Sequence, residues 1–295
     1  MDATAWYEFL EYTVIGLLSG GVLALIALSF VLIYKGTGVV NFAVGEVMML
    51  GAYLYYAAHV SFGLDPLAAF ALALTAIAVL AVLVERLVLR PLSGQSAVSV
   101  LMATIGMASI IHGMVEAVWG GDTYSVPPLL PRMPLSFGEV RISGTAIGNF
   151  AVAAALIGAF VAFFRYTKTG IALRATASDP VTAATMGINI HYAQRLTWIF
   201  SSLVGTVAGV LIASSANLSP LLAGTALAAF AVIILGGLDS IVGAIVASLI
   251  IGWLDAVAAG YLGGKARDLV PYVVVLAILV VRPHGIFGTR TIERL

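Results

Sequence analysis

Apolar residues run along this chain in long blocks separated by short polar breaks. A hydrocarbon layer of about 30 Å takes about 20 residues of helix. The blocks therefore predict membrane spans near residues 12–34, 39–60, 66–89, 97–119, 145–165, 194–216, 224–238, 241–262 and 269–282. The seventh and ninth are short for a bilayer and are expected to be broken or re-entrant, which membranes tolerate where protein or a cavity covers the loose backbone. The fold class is all-α: one polytopic bundle of eight or nine spans over residues 1–295, with no linker between domains.

Two breaks are longer than the rest. Residues 120–145 contain Pro127, Pro128, Pro131 and Pro134 and are expected to form an extended cap. Within it Leu135–Ser143 alternates as a small hairpin turning at Gly138–Glu139. Residues 170–195, GIALRATASDPVTAATMGINIHYAQR, form a polar, helix-compatible island with Arg174 and Asp179, closed by Gly187 as a helix stop. Such a protrusion predicts a docking surface for a soluble partner.

Composition sharpens this picture. Hydrophobic residues make up 61% of the chain and charged ones 9%, and the mean hydropathy is +1.09. Soluble domains carry roughly 25% charged residues, so little of this surface is meant for water. Net charge is zero and cysteine is absent, which excludes a basic nucleic-acid field, disulfides and thiolate chemistry. Asp2, Glu8 and Glu11 precede the first apolar run, so a cleavable signal is not expected there. With the N-terminus outside, inner loops receive Lys35, Arg86, Arg90, Arg165, Lys168, Arg174, Arg195, Arg282, Arg290 and Arg294, against Arg132, Arg141, Lys265 and Arg267 outside. The positive-inside rule then places the island and the C-terminus in the cytoplasm.

Several residues stand out within the spans. Gly16 with Gly20, and Ala244, Ser248 and Gly252, are small residues at helical spacing and predict close helix packing. Asn41 and Glu46 lie in GVVNFAVGEVMMLG; a helical rise of 1.5 Å per residue would bury Glu46 about 12 Å deep. An intramembrane carboxylate is either a packing hydrogen bond or part of a pathway. Asp255 is a weaker example. His112 and Glu116 share a helix face and read as a local pair. Thr104-Ile105-Gly106 is expected to interrupt the fourth span, and Gly236-Gly237 to end the seventh in a turn. There is no phosphate-binding G-x-x-x-x-G-K-[ST] loop: Gly264-Lys265 is followed by Ala266, with Ala259 in the first glycine's place. No nucleophile, metal or paired-carboxylate signature points to an enzyme.

Taken in order, these pieces resemble the membrane permease of branched-chain amino acid ABC transporters, of the leucine/isoleucine/valine type. The resemblance is carried by GGVLALIALSFVLIY at 20–34 and by Asn41-Phe42-Ala43-Val44-Gly45-Glu46. Further along come Arg90-Pro91-Leu92, Ala103-Thr104-Ile105-Gly106, Leu173-Arg174-Ala175, Met186-Gly187-Ile188-Asn189, Leu235-Gly236-Gly237 with Ser240 and Gly243, and Arg282-Pro283 with Gly285. It implies that the island is a coupling helix on a cytoplasmic ATPase, carrying Arg174, Ala175, Asp179 and Gly187. It implies a substrate pathway near Asn41, Phe42, Glu46, Thr104 and Gly106. It also implies a second permease subunit, identical or different, and a periplasmic or lipid-anchored substrate-binding protein. ATP would be used by the partner ATPases, with no cofactor on this chain, in a bacterial or archaeal inner membrane. The chain departs from the family pattern at Val44 and Asp239, which leaves urea, short amides and aromatic acids as alternative solutes. A stand-alone ion-coupled transporter using Glu46 and Asp255 is the competing class.

Overall fold

The computed structural model describes residues 3–92, 94–129, 135–137, 140–282 and 285–288. Helix α1 (Ala3–Thr37) is followed by α2 (Val44–Tyr56), which continues as a π turn at Ala57–Ser61, and by α3 (Pro66–Val84), which ends in a π turn at Glu85–Leu89. Then come α4 (Ala97–Trp119), strands β1 (Leu135–Phe137) and β2 (Val140–Ile142), α5 (Gly144–Tyr166), α6 (Lys168–Ser178), α7 (Pro180–Thr185) and α8 (Ile190–Ala216). A 3-10 turn at Pro220–Gly224 leads into α9 (Thr225–Gly236), followed by α10 (Ile241–Leu262) and α11 (Gly264–Val281). Among the described residues, six helical stretches are long and apolar enough to cross a membrane: those in α1, α3 with its π turn, α4, α5, α8 and α10. Pro220–Gly236 and Tyr272–Val281 are shorter apolar helices, as expected for the seventh and ninth spans.

The short strands pair antiparallel, Leu135 opposite Ile142 and Phe137 opposite Val140, which is the expected hairpin. Its turn at Gly138–Glu139, and Pro131, Arg132 and Pro134, lie outside the described residues.

The chain packs as two compact units. The first comprises Met1–Val31, Leu130–Ala154 and Leu227–Leu295. Its core is the seam of α1 with α10, built from the small residues the sequence singles out. A methyl group on Gly252 would lie 2.5 Å from the Gly20 Cα, and one on Gly20 would lie 2.8 Å from the Ser248 carbonyl oxygen. These small residues thus meet within one chain, as lipid-embedded helices require when shape alone must hold them. Toward the N-terminal part of α1, Trp253 Nε1 donates to Thr13 Oγ1 at 3.1 Å, and Tyr12 meets Tyr261 edge-on. At the other end, Gly236 and Gly243 leave no room for a side chain between them, and Gly237 turns the chain at φ +103°. The 285–288 segment docks there through Ile286 N to Leu235 O and Phe287 N to Gly236 O.

The second unit comprises Leu32–Leu129 and Ala155–Ala226. Helix α8 runs through it against α2 and α3. Glycines set the α2–α8 distance: Gly51 faces the Thr206 side chain and Gly209 faces the Met48 carbonyl. Tyr53 packs on Trp119 and Tyr124, and Tyr124 pairs its backbone with Leu218.

Three expectations need correction. The second span does not begin at residue 39: α1 runs on to Thr37 and residues 38–43 are irregular, so a helical rise from residue 38 does not give the depth of Glu46. Thr104-Ile105-Gly106 does not interrupt the fourth span, because α4 is continuous from Ala97 to Trp119. A single glycine weakens a helix without breaking it. The polar island is not one helix but two, α6 and α7, and α8 already starts at Ile190. The break is local chemistry. Pro180 disfavours helical backbone at Asp179, and Asp179 then caps the new helix by accepting from Val181 N and Thr182 N.

Candidate functional site

The irregular segment between α1 and α2 is shaped by its own side chains. Asn41 is buried, and its Oδ1 accepts from Ala43 N at 2.9 Å, closing a tight turn. Phe42 N donates to Thr104 Oγ1 at 3.3 Å, and Thr104 in turn donates to the Leu101 carbonyl at 2.8 Å. The threonine thus ties the turn to α4. Gly45 is glycine because a methyl group there would strike the Ala223 carbonyl, where α2 enters beside the 3-10 turn. Glu46 sits in the first turn of α2, half-buried, where the exposed backbone N–H groups favour negative charge. The Asn-x-x-x-Gly-Glu pattern therefore encodes a turn, a close approach and a helix start.

Asn41 and Thr104 line a cavity of about 360 Å³ formed by the ends of α1 and α3, the start of α4 and the first turns of α8. Its polar lining also includes Glu85, Arg90, Gln95 and Gln194, and its apolar wall includes Val100 and Trp198. Glu85 is buried in the π turn after α3, and its Oε2 takes the Arg195 Nε at 3.0 Å. A π turn widens the helix by one residue, a distortion often found at functional sites. Here Arg90 N reaches back to the Glu85 carbonyl.

Of the residues expected on a pathway, Asn41, Phe42 and Thr104 come together. Glu46 and Gly106 do not line the cavity, and Gly106 is exposed on α4, with open space where a side chain would go. Asp255 is half-buried in α10, in the other unit. His112 and Glu116 pair at 3.5 Å on the exposed face of α4. Sequence reasoning counted Arg195 only as an inner-loop cation and passed over Glu85 and the pairing of the two. The available signal was an acidic residue inside an otherwise apolar block, the same signal that singled out Glu46.

The residues expected to couple the chain to a partner lie on α6 and α7. Gly170, Leu173, Thr176 and Ala183 face inward, whereas Arg174 and Asp179 are exposed and Ala175 is half-buried. Thr182 donates its hydroxyl and its backbone N–H to the Asp179 carboxylate, and these bonds hold the carboxyl below its ordinary range. Gly187 at φ +84° ends α7 as expected. Around this elbow Val181 and Met186 are about three-quarters exposed, at 74% and 79%.

Comparison with known proteins identifies the family of the chain. The family described as the permease component of branched-chain amino acid transport systems matches residues 12–279. The high-affinity branched-chain amino acid transport system permease protein BraD of Pseudomonas aeruginosa is 31% identical, over 98% of both chains. The corresponding LivH protein of Escherichia coli K12 is 30% identical over 97% of both. A probable branched-chain amino acid transport permease, LivH of Methanocaldococcus jannaschii, is 30% identical over 90% of this chain and 88% of its own. With a family match across nearly its whole length and multiple apolar helices of spanning length, the chain belongs to the permease-component family of branched-chain amino acid transport systems.

Proposed function

We propose that this chain is the permease subunit of an ABC importer and forms half of the translocation pathway for branched-chain or other neutral amino acids. The observation that carries the coupling is the exposed α6–α7 elbow, polar at Arg174 and Asp179 and apolar at Val181 and Met186. A helix pair held from below by Leu173, Thr176 and Ala183 transmits a push at its tip into the first turns of α8, which carry Arg195. In this reading separate cytoplasmic ATPases seat on the elbow, and ATP is consumed there. A substrate-binding protein delivers solute to the outer face, and a second permease subunit completes the pore. The N-terminus is outside and the C-terminus cytoplasmic, a topology that the Lys and Arg distribution supports. Asn41, Phe42 and Thr104 border the pathway near its inner end, with Glu46 at the start of α2.

The test is ATP-driven uptake of labelled leucine by the chain co-expressed with its ATPase, second-permease and binding-protein partners. Arg174→Glu and Asp179→Lys are expected to cut uptake by more than tenfold while membrane insertion stays normal. Undiminished uptake by both variants would overturn the coupling role.

A further inference from the structure

Glu85 is used only halfway. Its side chain is 3% exposed, and Oε2 is held by Arg195. Oε1 is buried and meets no hydrogen-bond partner among the described residues. A carboxylate accepts up to about four donors, and buried polar atoms left without one are rare and call for a reason. The cavity that Glu85 lines measures about 360 Å³. A water molecule takes about 30 Å³, so this cavity has room for a ligand much larger than water. Cavities of this size commonly hold small organic ligands, oriented by a few polar groups on an otherwise apolar wall.

The polar groups here are not of one sign. Glu85 supplies an acceptor, Arg90 on the same rim supplies a fixed cation, and Asn41 and Thr104 add neutral partners. Val100 and Trp198 form an apolar wall. An acceptor, a cation and a greasy wall within one small cavity match the ammonium, carboxylate and side chain of a free neutral α-amino acid.

We infer that the cavity is an amino-acid site at the inner end of the pathway. The Glu85 carboxylate takes the ligand's ammonium, Arg90 takes its carboxylate, and the side chain lies against Val100 and Trp198. This rests on the reading of the chain as an amino-acid permease and adds the residues that hold the solute. Arg195 is a positioning residue: its Nε holds Glu85 Oε2 at 3.0 Å and so fixes the carboxylate at the cavity wall.

The experiment is equilibrium binding to the full chain in lipid nanodiscs, without ATP or binding protein. Three probes are used: leucine, 3-methylbutylamine (ammonium only) and 4-methylpentanoate (carboxylate only). Wild type is expected to bind leucine saturably. Glu85→Gln should weaken leucine and the amine at least tenfold and leave the acid unchanged. Arg90→Gln should weaken leucine and the acid and spare the amine. Val100→Phe fills the cavity while keeping the Glu85–Arg195 pair, and it should abolish binding of all three probes even if Glu85→Gln fails to fold. Leucine binding unchanged by Val100→Phe overturns the site. So does an absence of saturable binding in a chain whose assembled importer still takes up leucine, and that result leaves the permease reading standing. An assembled importer that carries no neutral amino acid overturns both.

Discussion

The α1–α10 and α3–α8 contacts face the same solvent and are closed by opposite chemistry. In the first, Gly16 and Gly20 meet Ser248 and Gly252 so closely that a single methyl group would not fit. The Ser248 hydroxyl at its centre returns to its own helix at the Ala244 carbonyl. In the second, Glu85 of the π turn and Arg195 of α8 form a largely buried ion pair beside a cavity. Lipid gives helices no hydrophobic reason to associate. Shape is therefore enough for a fixed seam, and an ion pair is not needed to hold one. Keeping charge inside a bundle is costly, and its presence next to open space is what the proposed amino-acid site rests on.

Removing one partner of the ion pair should give the largest effect. Arg195→Leu strands the Glu85 carboxylate and is expected to destabilise the protein by about 3–5 kcal/mol. The double variant Arg195→Leu with Glu85→Leu should recover most of that loss, since apolar replacements of a buried pair are often neutral or better. Thermal unfolding in detergent reads both. A double variant as unstable as the single one would mean that the pair is structural cement, and the contrast between the two seams would fail.

Overpacking the dry seam should come next. Gly252→Leu forces α1 and α10 apart and is expected to cost about 1–3 kcal/mol in the same assay. Wild-type stability in that variant would show that the seam is looser than the 2.5 Å approach implies. Gly106→Ala is the control within α4, where nothing lies within 4 Å. It should be neutral or stabilise by up to about 1 kcal/mol, because alanine suits a helix interior better than glycine.

The smallest effect is at the elbow, which belongs to neither seam. Hydrogen bonds from Thr182 lower the Asp179 carboxyl from its ordinary 3.8. A depressed carboxyl contributes stability above its unfolded value and loses it as pH falls through the lower folded value. The α7 cap should therefore be insensitive to pH from neutrality down to about 3.8 and loosen only below that. At neutral pH, Asp179→Ala should speed amide exchange at Val181 and Thr182, while Asp179→Asn, which still accepts, should change it little.

Much of this was legible from residue order. The apolar blocks mark the spans because a helix in lipid must be apolar over its length, and Gly16, Gly20 and Gly252 mark a packing seam because only small side chains permit it. Gly187 and Asp179 mark helix ends through local chemistry. The start of α2 was misread because residues 38–43 are as apolar as a helix, while the Thr104 contact that ties the local Asn41 turn to α4 comes from a residue 62 positions away. The same limit hid the cavity: Asn41, Glu85, Thr104 and Gln194 are far apart in the chain.

The sequence by itself determined the solvent of this protein, its helical class, its family and the positions of its caps, because hydropathy, helix length and capping act over at most a few turns. Only the tertiary structure decided which polar residues share a cavity, that Glu85 pairs with Arg195 across 110 positions, and that one oxygen of that carboxylate is left over. Such pairings depend on how close the helices approach, and that distance is set by packing that no local pattern contains.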